Sequence, residues 1–282
     1  MPPVLRSFLV SLVRLLGLLA LALVLLLLSV QHSMIYHPRP YQGTELRQNS
    51  QIADLPYATS QGAQHCYYVP PAAASREKNP ARVWVAFSGN GSRALDWLLF
   101  LRSYPAPQDG FLLVDYPGYG ACAGSASPET IRESADAALA ALAGHLGTTV
   151  PALESRLGVL GHSLGAASAL AFASGHPASR IVLLAPFTSL RDMARRTVGW
   201  PLCYLLRGNF DNRERLQEIT RHSPAPQINI FFGTEDEVIP FTMGQELARR
   251  FSQLHFEPVE ATGHNTILTN AKQRIHQVMT AP

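Results

Sequence analysis

A serine between two glycines is the clearest sign of chemistry in this sequence. Residues 161–165 read GHSLG, which places Ser163 directly after the apolar run Leu157–Leu160 and before a stretch of small residues. A strand that turns tightly into a helix holds such a serine as a nucleophile, and the glycines relieve crowding at the turn. The helix N-terminus would supply N–H groups for a developing oxyanion. The alternative is a glycine-rich turn with Ser163 as a helix cap, but the flanking strand and helix favour the nucleophile.

A serine nucleophile requires a base, and the base requires a carboxylate that orients it. Residues 235–237 read EDE and fall in a loop just after a predicted strand, so three neighbouring acids are candidates. His264 lies in a loop after the next predicted strand. Two other downstream histidines, His255 and His276, fall within a predicted strand and a predicted helix and are expected at the surface. The order along the chain is therefore Ser163, an acid and His264.

Short apolar runs, most of them separated by helix-like stretches, would position these side chains. The predicted strands are residues 82–87, 110–114, 157–160, 180–184, 227–232 and 255–259. Strands that alternate with helices need crossover connections, which give a mainly parallel sheet covered by helices on both faces. The sequence therefore predicts an α/β fold.

Five motifs in chain order resemble those of the α/β-hydrolase superfamily, over about residues 50–280. They are FSGNG at 87–91, DYPGYG at 115–120, GHSLG at 161–165, GTEDEVIP at 233–240 and GH at 263–264. The nearest likeness is to small membrane-anchored α/β-hydrolase domain-containing proteins. This resemblance implies the α/β-hydrolase fold. It also implies that Asp236 is the acid among the three candidates, so that Ser163, Asp236 and His264 form a catalytic triad.

The same resemblance implies an oxyanion hole formed by the backbone N–H groups of Asn90 and Leu164. One position departs from the family pattern, because Ser88 stands where the family has a histidine before the glycine. That histidine shapes the loop, so we expect altered support of the loop and not lost activity. The adjoining segment 116–119 (YPGY) is expected to be structural. The implied reaction requires neither a metal nor an organic cofactor.

The implied function is hydrolysis of carboxylic esters or thioesters, including lipid-derived ones, through an acyl-enzyme. His264 would deprotonate Ser163, Asp236 would orient the imidazole, and water would release the acyl group. Two alternatives remain open: an aminopeptidase-like amide hydrolase, and a binding module that uses an inactive hydrolase pocket. The expected partner is a small-molecule or lipid-like acyl substrate, and the sequence indicates no oligomeric state.

An apolar segment near the N-terminus predicts a membrane anchor. Residues Leu15–Val30 carry no charge and no proline, and the stretch extends back to Ser7 with Arg14 as its single charged interruption. About 20 apolar residues span a bilayer as a helix, and an arginine near one end reaches the headgroups. A cleaved signal peptide is the alternative, although no A-x-A-like site follows Val30. We predict an uncleaved anchor over residues 1–31.

The distribution of arginines favours a cytoplasmic N-terminus. The N-terminal amine, Arg6 and Arg14 lie on one side of the apolar segment, whereas Arg39 and Arg47 lie farther away on the other. The globular part would then be periplasmic, attached to a bacterial inner membrane. The sequon at residues 90–92 falls in the predicted active-site loop, where a glycan would block the site, which disfavours a eukaryotic secretory lumen.

The anchor is followed by a predicted polar linker, residues 32–50, and then by an α/β-hydrolase domain, residues 51–282. Residues 187–226 lie between two predicted strands and are long for a plain connection. They are interpreted as a small lid that selects an acyl chain or lies against lipid, because loops at strand ends carry substrate selection in α/β sheets. The alternative is a core-packing helix with a basic, solvated face.

Charge and cysteine content argue against several other classes of protein. The 282 residues include 23 Lys+Arg and 20 Asp+Glu, a net charge of +3, without the clustered cations that a nucleic-acid partner would require. Cys66, Cys122 and Cys203 stand far apart in the sequence, which disfavours a structural zinc site and a disulfide framework. One disulfide with one thiol left over stays open. The hydrophobic content of 47% predicts a packed core.

Overall fold

The computed structural model describes residues 2–42, 52–72 and 79–281. Within these residues eight strands form one sheet, in the order β1-β2-β4-β3-β5-β6-β7-β8. The strands are β1 (Ala53–Thr59), β2 (Gly62–Val69), β3 (Val83–Phe87), β4 (Gly110–Val114), β5 (Leu157–His162), β6 (Arg180–Leu184), β7 (Gln227–Gly233) and β8 (His255–Val259). The pairs β1–β2 and β2–β4 are antiparallel, and all the other pairs are parallel. The predicted α/β fold with a mostly parallel sheet is confirmed.

Helices cover both faces of this sheet. They are α1 (Pro3–Ile35), α2 (Leu98–Leu101), α3 (Pro128–Leu146), α4 (Val150–Glu154), α5 (Leu164–Ala173), α6 (Leu190–Val198), α7 (Asn212–Ile219), α8 (Phe241–Arg250), α9 (Ile267–Asn270) and α10 (Lys272–Thr280). Side chains of α3, α5, α7 and α8 belong to one buried apolar cluster, and those of α2, α9 and α10 belong to a second. The two clusters lie on opposite faces of the sheet.

The central strand β3 shows why these apolar runs become strands. All five of its residues are buried. Val83, Val85 and Phe87 belong to one cluster, whereas Trp84 and Ala86 belong to the other. Successive side chains of a strand point to opposite faces, so a strand covered on both faces must be apolar throughout. The parallel strands β3, β5, β6, β7 and β8 end at the same edge of the sheet, which brings the loops after them together.

The N-terminal helix α1 is 33 residues long and would extend about 50 Å at 1.5 Å per residue. Within the described part of the chain it is the one helix long and apolar enough to span a membrane, with a mean hydropathy of 2.7 over its most apolar window. It continues to Ile35. It therefore extends four residues beyond residue 31, the predicted end of the anchor.

Two further expectations concern the cysteines and His276. Cys66, Cys122 and Cys203 are buried free thiols, so the disulfide left open by the sequence does not form. Burial raises the pKa of the Cys122 thiol to about 12. His276 was expected at the surface, but it is buried, with its ring centroid 4.6 Å from that of Phe100. The reason is that α10 turns this face toward the sheet.

Candidate active site

Ser163 occupies a tight turn between β5 and α5, as its sequence context predicts. Its φ of 58° and ψ of −119° lie in a region that residues with a side chain rarely adopt, so the backbone is strained there. A Cβ at Gly161 would overlap the carbonyl oxygen of Gly165, and a Cβ at Gly165 would overlap that of Phe87. Both positions of the motif therefore require glycine for the close approach of backbone segments.

Asp236 and His264 lie side by side in the loops after β7 and β8. The Nδ1 of His264 is 2.7 Å from Oδ2 of Asp236, whose side chain is fully buried. The other carboxylate oxygen accepts hydrogen bonds from the backbone N–H groups of Val238 at 2.9 Å and Ile239 at 2.7 Å. These contacts fix the carboxylate with Oδ2 facing the ring, so Asp236 is placed to orient the imidazole of His264.

His162 joins the loop of His264 to the turn of Ser163. Its Nε2 lies 3.1 Å from the carbonyl oxygen of His264, and the two imidazole rings are 4.8 Å apart. A carbonyl oxygen only accepts, so Nε2 of His162 carries the proton. Burial, with the nearby His264, lowers the pKa of His162 to about 4, so its ring is neutral at pH 7. It is a packing element of the site and not a base.

Glu237 holds the backbone of the His264 loop, a contact that sequence reasoning missed. Its Oε2 accepts a hydrogen bond from the N–H of His264 at 3.0 Å, and this bond lowers the pKa of Glu237. Gly263 permits the contact, because a Cβ there would be 2.8 Å from the same oxygen. The signal in the sequence was the glycine directly before the histidine. Glu235 is exposed.

The loop after β3 places the predicted oxyanion residues beside the nucleophile. Asn90, Leu164 and Ser163 line the same cavity. Leu164 is the first residue of α5, so its N–H has no partner within the helix and is available to a ligand. Ser88, the departure from the family pattern, donates a hydrogen bond from Oγ to the carbonyl oxygen of Arg93 at 3.0 Å. The serine thus closes the loop through a side-chain contact of its own.

The DYPGYG motif, predicted to be structural around 116–119, supports this same loop. Tyr116 donates to the carbonyl oxygen of Ser88 at 2.6 Å, and Tyr119 donates to that of Asn90 at 2.7 Å. The carboxylate of Asp115 accepts a hydrogen bond at 2.7 Å from the N–H of Ala94, the first residue of the 3-10 helix that follows this loop. Burial raises the pKa of Asp115 to about 6. Three side chains of one motif therefore fix the loop that carries Asn90, the predicted oxyanion residue.

A cavity of about 280 Å³ opens beside Ser163. Its walls are α6, the 3-10 helix Leu202–Leu205 and the end of α1, and most of its lining is apolar. Among the described residues that line it, none is charged. Ser163 and Asn90 are among its few polar lining residues. Part of the predicted lid, residues 187–226, thus lines the same cavity as Ser163.

The segment that leaves α1 packs across the loop of Asn90. The side-chain amide of Asn90 donates to the carbonyl oxygen of Ile35 at 3.1 Å, and the N–H of His37 donates to the carbonyl oxygen of Asn90 at 3.1 Å. Tyr36 is buried. The predicted linker, residues 32–50, therefore differs from a polar tether in its described part. Residues 43–50, which include Arg47, lie outside the described residues.

The fold and the strained serine at the end of β5 together define an α/β-hydrolase fold. The profile of the alpha/beta hydrolase family matches residues 83–226, about half of the chain. The chain belongs to this family. Among the described residues no group of three or more His, Cys, Asp or Glu side chains could hold a metal ion.

Relatives and solved structures agree with this assignment. The chain is 31% identical over 156 residues to an uncharacterized protein of Mycobacterium tuberculosis. The aligned segment covers 55% of this chain and 52% of that protein. It is 31% identical over 155 residues to human alpha/beta hydrolase domain-containing protein 17B, which covers 54% of this chain and 49% of the relative. The chain thus spans about half the length of the relatives it matches.

Two solved structures show the same fold at low sequence identity. A Pyrococcus furiosus esterase superposes with a TM-score of 0.62 at 14% identity, over 87% of this chain and 97% of the esterase. An alpha-beta hydrolase from Vibrio vulnificus gives a TM-score of 0.63 at 17% identity, over 83% of this chain and 82% of that protein. The fold and the family support a hydrolase.

Proposed function

We propose that this protein is a serine hydrolase that cleaves carboxylic esters or thioesters through an acyl-enzyme. The observations that carry the proposal are the 2.7 Å contact between His264 and the buried side chain of Asp236, and the strained Ser163 that lines an apolar cavity. A nucleophile, a base and an orienting carboxylate in this order are the parts that acyl transfer requires. The strain at Ser163 is typical of functional sites.

In this mechanism the Oγ of Ser163 attacks the carbonyl carbon while His264 takes its proton at Nε2. Asp236 keeps the other proton on Nδ1 and stabilises the imidazolium that forms. The N–H groups of Asn90 and Leu164 bind the oxyanion. The protonated His264 then gives its proton to the leaving alcohol or thiol. It next deprotonates a water molecule, which releases the acyl group and restores Ser163.

The cavity favours an acyl chain as the group that is bound. Its lining is apolar, and none of the described residues that line it could pair with the charged N-terminus of a peptide. This argues for esters and thioesters over an aminopeptidase-like amide hydrolase, since an ammonium group buried without a partner is strongly disfavoured. The strained turn at Ser163 also argues against a non-catalytic binding module, because backbone strain costs stability and binding alone does not require it.

Labelling with a fluorophosphonate probe tests the catalytic proposal. Such a probe reacts with an activated serine, so the full chain should be labelled and Ser163→Ala should not. The same variant should lose hydrolysis of p-nitrophenyl acetate by about 10⁴-fold or more while remaining folded. Ser155→Ala, an exposed serine far from the cavity, is the matched control and should behave as wild type. Wild-type turnover by Ser163→Ala would disprove the assignment.

The helix α1 is proposed to anchor the protein in a bacterial inner membrane, with the catalytic domain in the periplasm. Its most apolar window has no buried residue, so its surface is free to meet lipid. The full chain should stay in the membrane pellet through carbonate washes, because no charge in Leu15–Val30 can be screened. Release by carbonate would contradict the anchor, and protection from protease added to spheroplasts would contradict the orientation only.

A further inference from the structure

One face of α1 forms part of the cavity beside Ser163. Four of its residues line the cavity: Leu27, Gln31, Met34 and Ile35. The last three follow Leu27 by four, seven and eight positions, which puts all four on one side of the helix. The neighbouring Leu26 does not line the cavity and is 56% exposed. A helix that served only as an anchor would need no side chains in the cavity.

Hydrogen bonds fix this face of α1 relative to the catalytic loop. The side-chain amide of Asn90 donates a hydrogen bond to the carbonyl oxygen of Ile35, and the N–H of His37 donates one to the carbonyl oxygen of Asn90. One turn earlier, Oε1 of Gln31 accepts a hydrogen bond from the N–H of Arg207 at 2.8 Å. The first two contacts reach the oxyanion loop, and the third reaches the segment after α6. The helix end is therefore held at both sides of the cavity.

The direction of α1 gives the cavity a near end and a far end. Ile35 contacts the oxyanion residue Asn90, so the last turn of α1 lies at the reacting end. Leu27 is eight residues before Ile35, about 12 Å along the helix axis. An acyl chain that starts at Ser163 and follows this wall would pass Met34 first and reach Leu27 only if the chain is long.

We propose that Met34 and Leu27 are specificity-determining residues, and that Leu27 sets the longest acyl chain that the site accepts. This inference rests on the proposed function of the same site. A larger side chain at Leu27 shortens the cavity at its far end and leaves the reacting end unchanged. A larger side chain at Met34 also obstructs shorter chains. The helix that carries the protein in the membrane is thereby also a wall of its active site.

The test compares kcat/KM for p-nitrophenyl esters from acetate to palmitate, with the full chain in detergent micelles. Leu27→Trp should lower the ratio of kcat/KM for the longest esters to kcat/KM for acetate by about tenfold or more, because a pocket change of this size discriminates at that level. Met34→Trp should lower kcat/KM for esters of shorter acyl chains as well. Leu26→Trp is the matched control, since it adds the same side chain on the outer face.

The outcomes separate this inference from the proposed function. If Leu27→Trp and Leu26→Trp give the same chain-length profile as wild type, the inference is overturned while the proposed function stands. If no ester is hydrolysed in a Ser163-dependent manner, the proposed function fails and the inference fails with it. Should Leu27→Trp not fold, Leu27→Ala, which adds no bulk, decides the matter: it should extend the accepted chain length, and an unchanged profile would overturn the inference.

Discussion

The proposed active site has two halves that are built in different ways. The catalytic half consists of Ser163, Asp236 and His264, which stand on short loops at the ends of strands β5, β7 and β8. The acyl-binding half consists of the end of α1, α6 and the 3-10 helix that follows α6. The first half is held by close backbone approach and hydrogen bonds, and the second is mostly apolar and is held by packing.

This difference indicates that the residues that carry out the reaction and the residues that select the acyl chain belong to different parts of the structure. In the catalytic half the glycines allow backbones to touch, so side-chain positions are determined by the fold itself. In the acyl-binding half the walls come from outside the sheet, and their side chains can change without moving the catalytic groups. A change in the catalytic half should lower the rate for all acyl chains alike. A change in the other half should alter the preference among them.

Among the changes that test this separation, Asp236→Asn has the largest expected effect. An asparagine amide favours the wrong tautomer of His264, so kcat should fall by up to about 10⁴-fold, as in a comparable triad. Because this residue belongs to the catalytic half, the loss should be the same for p-nitrophenyl acetate and for a long-chain ester. The measurement is kcat for both esters with the full chain.

Glu235→Gln is the matched control, since Glu235 is the exposed neighbour in the same loop. Its activity should remain within about twofold of wild type, because surface changes away from special contacts have small effects. If Glu235→Gln were the damaging change and Asp236→Asn the mild one, the choice of acid would be wrong. A loss confined to long-chain esters would contradict the separation of the two halves.

The sequence predicted the catalytic half far better than the acyl-binding half. The parallel strands read as apolar runs because both their faces are buried, and GHSLG is a local signal for the turn at Ser163. The strand β1 was missed, because ADLPYAT is an edge strand with a proline and polar residues that pairs only with β2. The contact between Gln31 and Arg207 joins positions 176 residues apart, and no local pattern encodes it.

A second prediction concerns how the stability of the catalytic half depends on pH. Burial holds the pKa of His162 at about 4, below its ordinary value of 6.5. Between these two values the unfolded chain binds a proton at this residue and the native chain does not. The free energy of unfolding should therefore fall as pH falls from 6.5 toward 4, by at most about 1.4 kcal/mol per pH unit from this residue. Urea unfolding of wild type and His162→Gln in detergent, compared at several pH values, measures the difference.

The matched control for that experiment comes from the acyl-binding half. Leu190→Ala removes a cavity-lining side chain that binds no proton, so its loss of stability should be the same at every pH. The stability difference between His162→Gln and wild type should instead shrink as the solution is acidified. A difference that stays constant with pH for His162→Gln would show that the residue is no less basic in the native state than in the unfolded one.

The smallest expected effect is that of Tyr119→Phe, which acts where the two halves meet. The hydroxyl of Tyr119 donates to the carbonyl oxygen of Asn90 at 2.7 Å and accepts from the N–H of His37 at 2.9 Å, so it joins the oxyanion loop to the segment after α1. Burial raises its pKa to about 12, which keeps the hydroxyl protonated as a donor. In the variant the carbonyl oxygen of Asn90 still accepts from His37. The hydroxyl's contacts with Asn90 and His37 are both lost, but His37 keeps its bond to Asn90, so the net loss is about one hydrogen bond, or about 1 kcal/mol. We therefore expect kcat for acetate to fall by about fivefold with KM unchanged.

Tyr57→Phe gives the control for this last comparison. Tyr57 also loses one hydrogen bond, to the hydroxyl of Ser134 at 2.8 Å, but far from Asn90, so its kcat should not change. If Tyr119 acts on the oxyanion loop alone, the loss in kcat is the same for every acyl chain. If Tyr119→Phe also shifts the chain-length profile in the manner of Leu27→Trp, then α1 has moved with the loop. In that case the helix end and the oxyanion loop behave as one unit, and the separation into two halves fails at this residue.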